Sequence, residues 1–108
     1  MKNLRIALLT IALVAAALVN AQAGSVTVTQ KDRTFIPESV DISVGDTIVI
    51  RNDDMFLHQV YVKSPDYNFD SSGQPSGTAT ELPPFEHPGD YEVLCEIHPK
   101  MRLVVHVR

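Results

Sequence analysis

The heptapeptide Cys95-Glu96-Ile97-His98-Pro99-Lys100-Met101 puts a thiolate, an imidazole and a thioether at Cys-x2-His-x2-Met spacing. Soft thiolate and thioether donors beside an imidazole suit copper better than the other common metals. His58, far upstream, completes a His2Cys set, with Met101 as a weak further ligand. A trigonal His2Cys site with a long axial thioether tolerates both oxidation states of copper. Such a set leaves no open position, whereas catalytic metal sites keep one. The chemistry these residues point to is one-electron transfer, with no substrate transformed at the metal.

Each residue also has a plainer reading. A lone cysteine is usually a small buried hydrophobe, an inward histidine usually a satisfied core residue, and a methionine core filler. Their convergence favours ligation. Zinc would take the Cys and two His, but the thioether is a poor zinc partner and no general base is placed beside it. A two-copper centre needs two cysteines, and the chain has one. Cys95 has no strained nucleophile turn around it, so a hydrolase is not supported. Met55 is a possible soft ligand but is expected to pack. His87 and His106 read as surface residues, and Asp53 and Asp54 as a solvated turn.

These residues must be held by short strands. Alternating or β-branched runs at 25–30, 34–38, 40–44, 47–51, 58–63, 91–95 and 103–107 are separated by turn signals such as Gly45-Asp46 and Pro88-Gly89-Asp90. The proline-bearing run 81–85 can be at most an edge strand, and 64–79 reads as loop. No helical period survives beyond the N-terminal segment. Seven to eight short strands predict an all-β sandwich or barrel. Alternation sends Cys95 to the side of Tyr91 and Val93, and His58 to the side of Val60 and Val62, so both face the core. His98 and Met101 follow in a loop closed at both ends by sheet. Pro99 restricts His98 to extended geometry.

The N-terminal segment reads as a targeting signal. Lys2 and Arg5 precede an apolar run over 6–19, and Ala21-Gln22-Ala23 has the form of a cleavage site. The run is short for a membrane span. The expected division is a signal peptide at 1–23 and one small domain at 24–108, exported to the periplasm and free of the membrane after cleavage. Removing the signal leaves seven basic residues against thirteen acids, a net charge of −6. That argues against nucleic acid and anionic membranes as partners. It is compatible with a basic protein partner. An exported chain with one cysteine cannot form an internal disulfide, which again turns Cys95 toward a metal.

At this point the chain resembles the cupredoxin superfamily of small blue-copper proteins, nearest the amicyanin, pseudoazurin and plastocyanin group. The Cys95-x2-His98-x2-Met101 spacing is of the amicyanin and pseudoazurin type. Phe85, Gly89 and Tyr91 lead into Cys95 in the pattern Phe-x3-Gly-x-Tyr-x3-Cys, and Asn52 lies six residues before His58. The chain departs from the family at Leu103, where Gly is typical, at Gln59 and at Leu94. The resemblance implies a cupredoxin-like Greek-key β-sandwich and one copper ion bound by His58, Cys95, His98 and axial Met101. It further implies that Asn52 ties the two ligand segments together, and that electrons pass through His98. An apolar patch of Phe56, Leu57, Pro99 and Met101 would meet transient protein redox partners there. The expected function is a monomeric, non-enzymatic electron carrier. The alternative is a copper chaperone or store without a redox-carrier role. Only two methionines after the signal, and no Met-rich tract, count against it.

Overall fold

The computed structural model describes residues 23–108, so the expected signal segment lies outside the described residues up to position 22. Nine strands follow one another: β1 (Ser25–Lys31), β2 (Thr34–Ile36), β3 (Ser39–Ile42), β4 (Thr47–Asn52), β5 (Val60–Ser64), β6 (Tyr67–Asp70), β7 (Ala79–Glu81), β8 (Gly89–Cys95) and β9 (Arg102–Val107). They form two sheets, ordered β2-β1-β4-β7 and β3-β9-β8-β5-β6. Pairing is parallel for β1 with β4 and for β3 with β9, and antiparallel elsewhere. The all-β sandwich expected from the sequence is the fold observed.

Period-two alternation builds the core. β4 buries Ile48, Ile50 and Asn52; β8 buries Tyr91, Val93 and Cys95; β9 buries Leu103, Val105 and Val107. Each fully buried Val, Leu or Ile contributes about 1.5–3 kcal/mol. A one-residue slip would turn every one of them to solvent, so the register is strongly specified. Leu103, the departure from the family pattern, is fully buried opposite Val93.

The strand count exceeds the sequence expectation because the stretch read as loop contains β6 and the start of β7. Its Tyr67 is buried, stacked on Phe85 at 4.2 Å, and its hydroxyl donates to the Pro83 carbonyl at 2.7 Å. Burial pushes the Tyr67 hydroxyl pKa strongly upward. The proline-bearing segment after β7 is not a strand, yet Leu82 and Phe85 hold it to β4 and its preceding turn through bonds to Ile48 and Asp46. Gly89 sits at φ +151°, a conformation side chains disfavour, and so permits the turn into β8.

β5 and β8 are neighbours, with Val60 opposite Cys95. The Glu96 N–H donates to the Gln59 carbonyl, extending that ladder one step past the named strands. His58 lies two residues before Val60, on the same face, and is thereby carried beside Cys95. This pairing is what brings the two distant ligand segments together.

Candidate metal centre

His58 is not within a strand, as the sequence suggested, but just before β5. Its backbone is pinned by a two-way bridge with Gln74, N–H to carbonyl at 3.1 Å and 2.7 Å. Cys95 is the last residue of β8, His98 lies in the connecting loop, and Met101 ends it. The Met101 N–H donates to the His98 carbonyl at 3.0 Å, closing the loop into a tight turn before β9.

The donor atoms converge. Cys95 Sγ lies 3.6 Å from Nδ1 of His58 and 3.8 Å from Nδ1 of His98. The three donors all lie within 4.8 Å of one another. A first-row metal about 2.3 Å from a thiolate and about 2.0 Å from each imidazole, in a trigonal plane, sets sulfur and nitrogen about 3.7 Å apart. The cluster therefore has the spacing to hold one metal ion, and its donor chemistry is that of copper. Met101 is almost fully buried at the same end of the sandwich.

The two histidines differ in setting. His58 is wholly buried, whereas His98 is half-buried. Their ring centroids are 4.9 Å apart, and Phe56 packs against both, at 5.3 Å from His58 and 5.2 Å from His98. Burial first, then the proximity of His58 and Arg33, hold the His98 pKa below the ordinary histidine value. That shift favours the neutral imidazole, the form that ligates.

Behind His58 is a residue the sequence reading misplaced. Asp54 is not a solvated turn residue; it is buried, with Oδ2 at 2.7 Å from His58 Nε2. It also accepts the N–H of Asp32 at 2.6 Å and of Arg33 at 3.2 Å. Burial alone would raise its pKa, but the bonds from His58, Arg33 and Asp32 outweigh burial and lower it. An ionised Asp54 takes the Nε2–H of His58 and so leaves Nδ1 as the lone pair facing Cys95. An acid four residues before a candidate ligand histidine was the available signal; the neighbouring Asn52 and Asp53 disguised it as a polar turn.

Asn52 supports the site differently from the role the resemblance implied. Its Nδ2 donates to the carbonyls of Phe56 and Gln74, at 2.8 Å and 2.9 Å, and its Oδ1 accepts the Asp54 N–H at 2.9 Å. It braces the His58 loop against the Gln74 segment. Among the described residues it makes no bond to the Cys95–Met101 loop. Two further buried amides, Gln30 and Gln74, extend this layer, with Gln30 Nε2 donating to Gln74 Oε1 at 3.2 Å. Neither stood out in the sequence.

The apolar surface is also redrawn. Met55 does not pack; it is 89% exposed, and Leu57 and Ile97 are exposed at 47% and 43%. Pro99 is exposed and Phe56 half-buried, but Met101 is buried and contributes no patch.

Comparison with known proteins agrees with this architecture. A copper-containing nitrite reductase (NirK) from Thermus scotoductus SA-01 superposes with a TM-score of 0.70 at 27% identity, over 78% of this chain. This chain spans only 22% of that enzyme. An oxidised mutant of amicyanin matches with a TM-score of 0.71 at 24% identity, covering 79% of this chain and 83% of its own. A purple cupredoxin from Nitrosopumilus maritimus gives 0.67 at 23% identity, covering 77% and 99%. No curated protein matches significantly by sequence. The sequence model of the cupredoxin-like domain matches residues 4–107. With that match, a two-sheet sandwich and a His-Cys-His cluster at one end, the chain belongs to the cupredoxin-like family.

Proposed function

We propose that this protein is a periplasmic type 1 copper protein carrying single electrons between redox partners. The observation that carries the reading is the near-equal separation of Cys95 Sγ from the two Nδ1 atoms, at 3.6 Å and 3.8 Å. His58, Cys95 and His98 would be the strong ligands and Met101 the weak one. Bound copper would supply a one-electron couple. The chain's residues do the rest: Asp54 and Asn52 fix His58, the closed loop fixes His98, and burial excludes water. A site held this firmly rearranges little when its charge changes. His98, the less buried histidine, provides the route to the surface, where a small, transient contact suffices.

Likeness to a nitrite reductase does not make this chain an enzyme; it spans a minor part of that protein, and its donor set leaves no position for a substrate. Export rests on the N-terminal charge, apolar run and Ala-x-Ala sequence. The division at residue 23 is part of the same proposal, as is a monomeric state.

The test is to load the purified protein with Cu(II) and record visible and EPR spectra. An intense thiolate-to-copper band with narrow hyperfine splitting is expected, and its loss in Cys95→Ser. A pale product with ordinary copper EPR would sink the assignment. Slow electron self-exchange in a correctly coloured protein would favour copper handling over electron carriage.

A further inference from the structure

We infer that the surface beside His98 receives a partner protein presenting carboxylates around its own electron-transfer site, despite the acidity of this chain. The inference rests on the electron-carrier reading above. Two adjoining depressions, of about 440 Å³ and about 250 Å³, lie at this end; His98 lines the larger, and Arg33, Lys100 and Met101 line both. Arg102 lines the smaller, together with Glu38, the one acid among the lining residues of the two. Beyond residue 22 the sequence holds seven basic residues and thirteen acids. Three of those seven thus gather here, against a single acid.

Their pairing sharpens the point. Arg102 is bonded to Glu92 at 3.0 Å. Arg33 and Lys100 have no ion-pair partner among the described residues, although acids outnumber bases across the chain. Arg33 is also fixed in place. Its backbone, at φ +57°, is anchored by its N–H bond to Asp54, and its guanidinium lies 4.6 Å over the Phe56 ring. A cation already ordered loses less entropy when it meets a carboxylate. Its guanidinium offers the planar fork that carboxylates match. Exposed Ile97 and Pro99 supply the apolar floor between these charges. Complementary charge here would steer encounter and set orientation more than it would add affinity.

The net charge and the local charge predict opposite salt effects, which makes the inference testable. The reduced, copper-loaded protein is mixed with hexacyanoferrate(III), which takes one electron and becomes hexacyanoferrate(II). The cationic oxidant tris(phenanthroline)cobalt(III) serves as counterpart. If Arg33 and Lys100 govern encounter, hexacyanoferrate oxidation slows several-fold between about 10 mM and about 200 mM ionic strength. Arg33→Glu with Lys100→Glu then slows it roughly tenfold at low salt and reverses the salt dependence. Arg33→Lys with Lys100→Arg retains the original behaviour. A rate that rises with salt, as the net charge dictates, or one indifferent to charge reversal, overturns the inference. A hexaglutamate peptide titrated into the protein, followed by amide NMR, should perturb residues around Arg33 and Lys100. That readout needs no copper. Absence of a blue copper band would therefore defeat the electron-carrier reading, whereas peptide shifts scattered away from these residues would defeat the docking surface.

Discussion

Asp54 Oδ2 lies 2.7 Å from Nε2 of His58, and both side chains are sealed from solvent. This contact sets which nitrogen of His58 is free to ligate. Asp54→Asn should lower copper affinity roughly 10–100-fold, read by competition with a chelator. Asp54→Ala removes the acceptor for two backbone N–H groups and the imidazole, and should destabilise the copper-free protein by about 2–4 kcal/mol in denaturant. An Asn variant with unchanged affinity would show that the ring is oriented by other means.

Asn52 is fully buried and uses both ends of its amide. Asn52→Leu, of similar volume, leaves the Asp54 N–H and the Phe56 carbonyl unpaired, while the Gln74 carbonyl keeps the His58 N–H. At about 1–3 kcal/mol per orphaned buried group, with partial relaxation, a loss near 3 kcal/mol is expected by urea unfolding. A loss below about 0.5 kcal/mol would mean the loop finds new partners.

Phe85, Tyr67 and Tyr91 form one aromatic cluster in which each ring meets the other two. Phe85→Ala should cost about 3–5 kcal/mol and Phe85→Leu clearly less, since the smaller cavity collapses more completely. Tyr67→Phe should cost about 1 kcal/mol, because it removes one hydroxyl donor and leaves the Pro83 carbonyl bare.

Acid should weaken the fold through its surface carboxylates. Bonds from the Ser43 and Gly24 N–H groups hold Asp46 below its usual pKa; the Ser64 hydroxyl does so for Asp66, the Ser72 N–H for Asp70, and His106 for Asp90. A carboxyl with a depressed folded-state pKa contributes stability that is fully present above its unfolded value of about 3.9. That contribution is lost as pH falls through the lower folded-state values. The denaturation midpoint should therefore drop below about pH 4, and Asp46→Asn should flatten the drop. An unchanged acid profile in that variant would contradict the assignment.

Much of this was legible in the chain. The alternation running Tyr91, Val93, Cys95 and then Leu103, Val105, Val107 fixes both the strands and the loop between them, because a period of two leaves one consistent inward face. His58 was readable from the company of Val60 and Val62. Asp54 was not, because its burial depends on the β1–β2 turn folding over it, a contact across 22 residues that local polarity conceals. The exposure of Met55 was hidden for the converse reason: hydrophobicity alone suggested packing. β6 was obscured by its polar neighbours; its antiparallel pairing with β5 and the stacking of Tyr67 on distant Phe85 hold it in place.

The two residues joining β1 to β2, Asp32 and Arg33, both adopt positive φ and both donate to Asp54. Tight surface turns of this kind ordinarily absorb insertions and deletions without consequence. Here a change of length by a single residue would withdraw donors from the carboxylate that aims His58. A lesion far from every ligand in sequence would then present as a defect in metal retention.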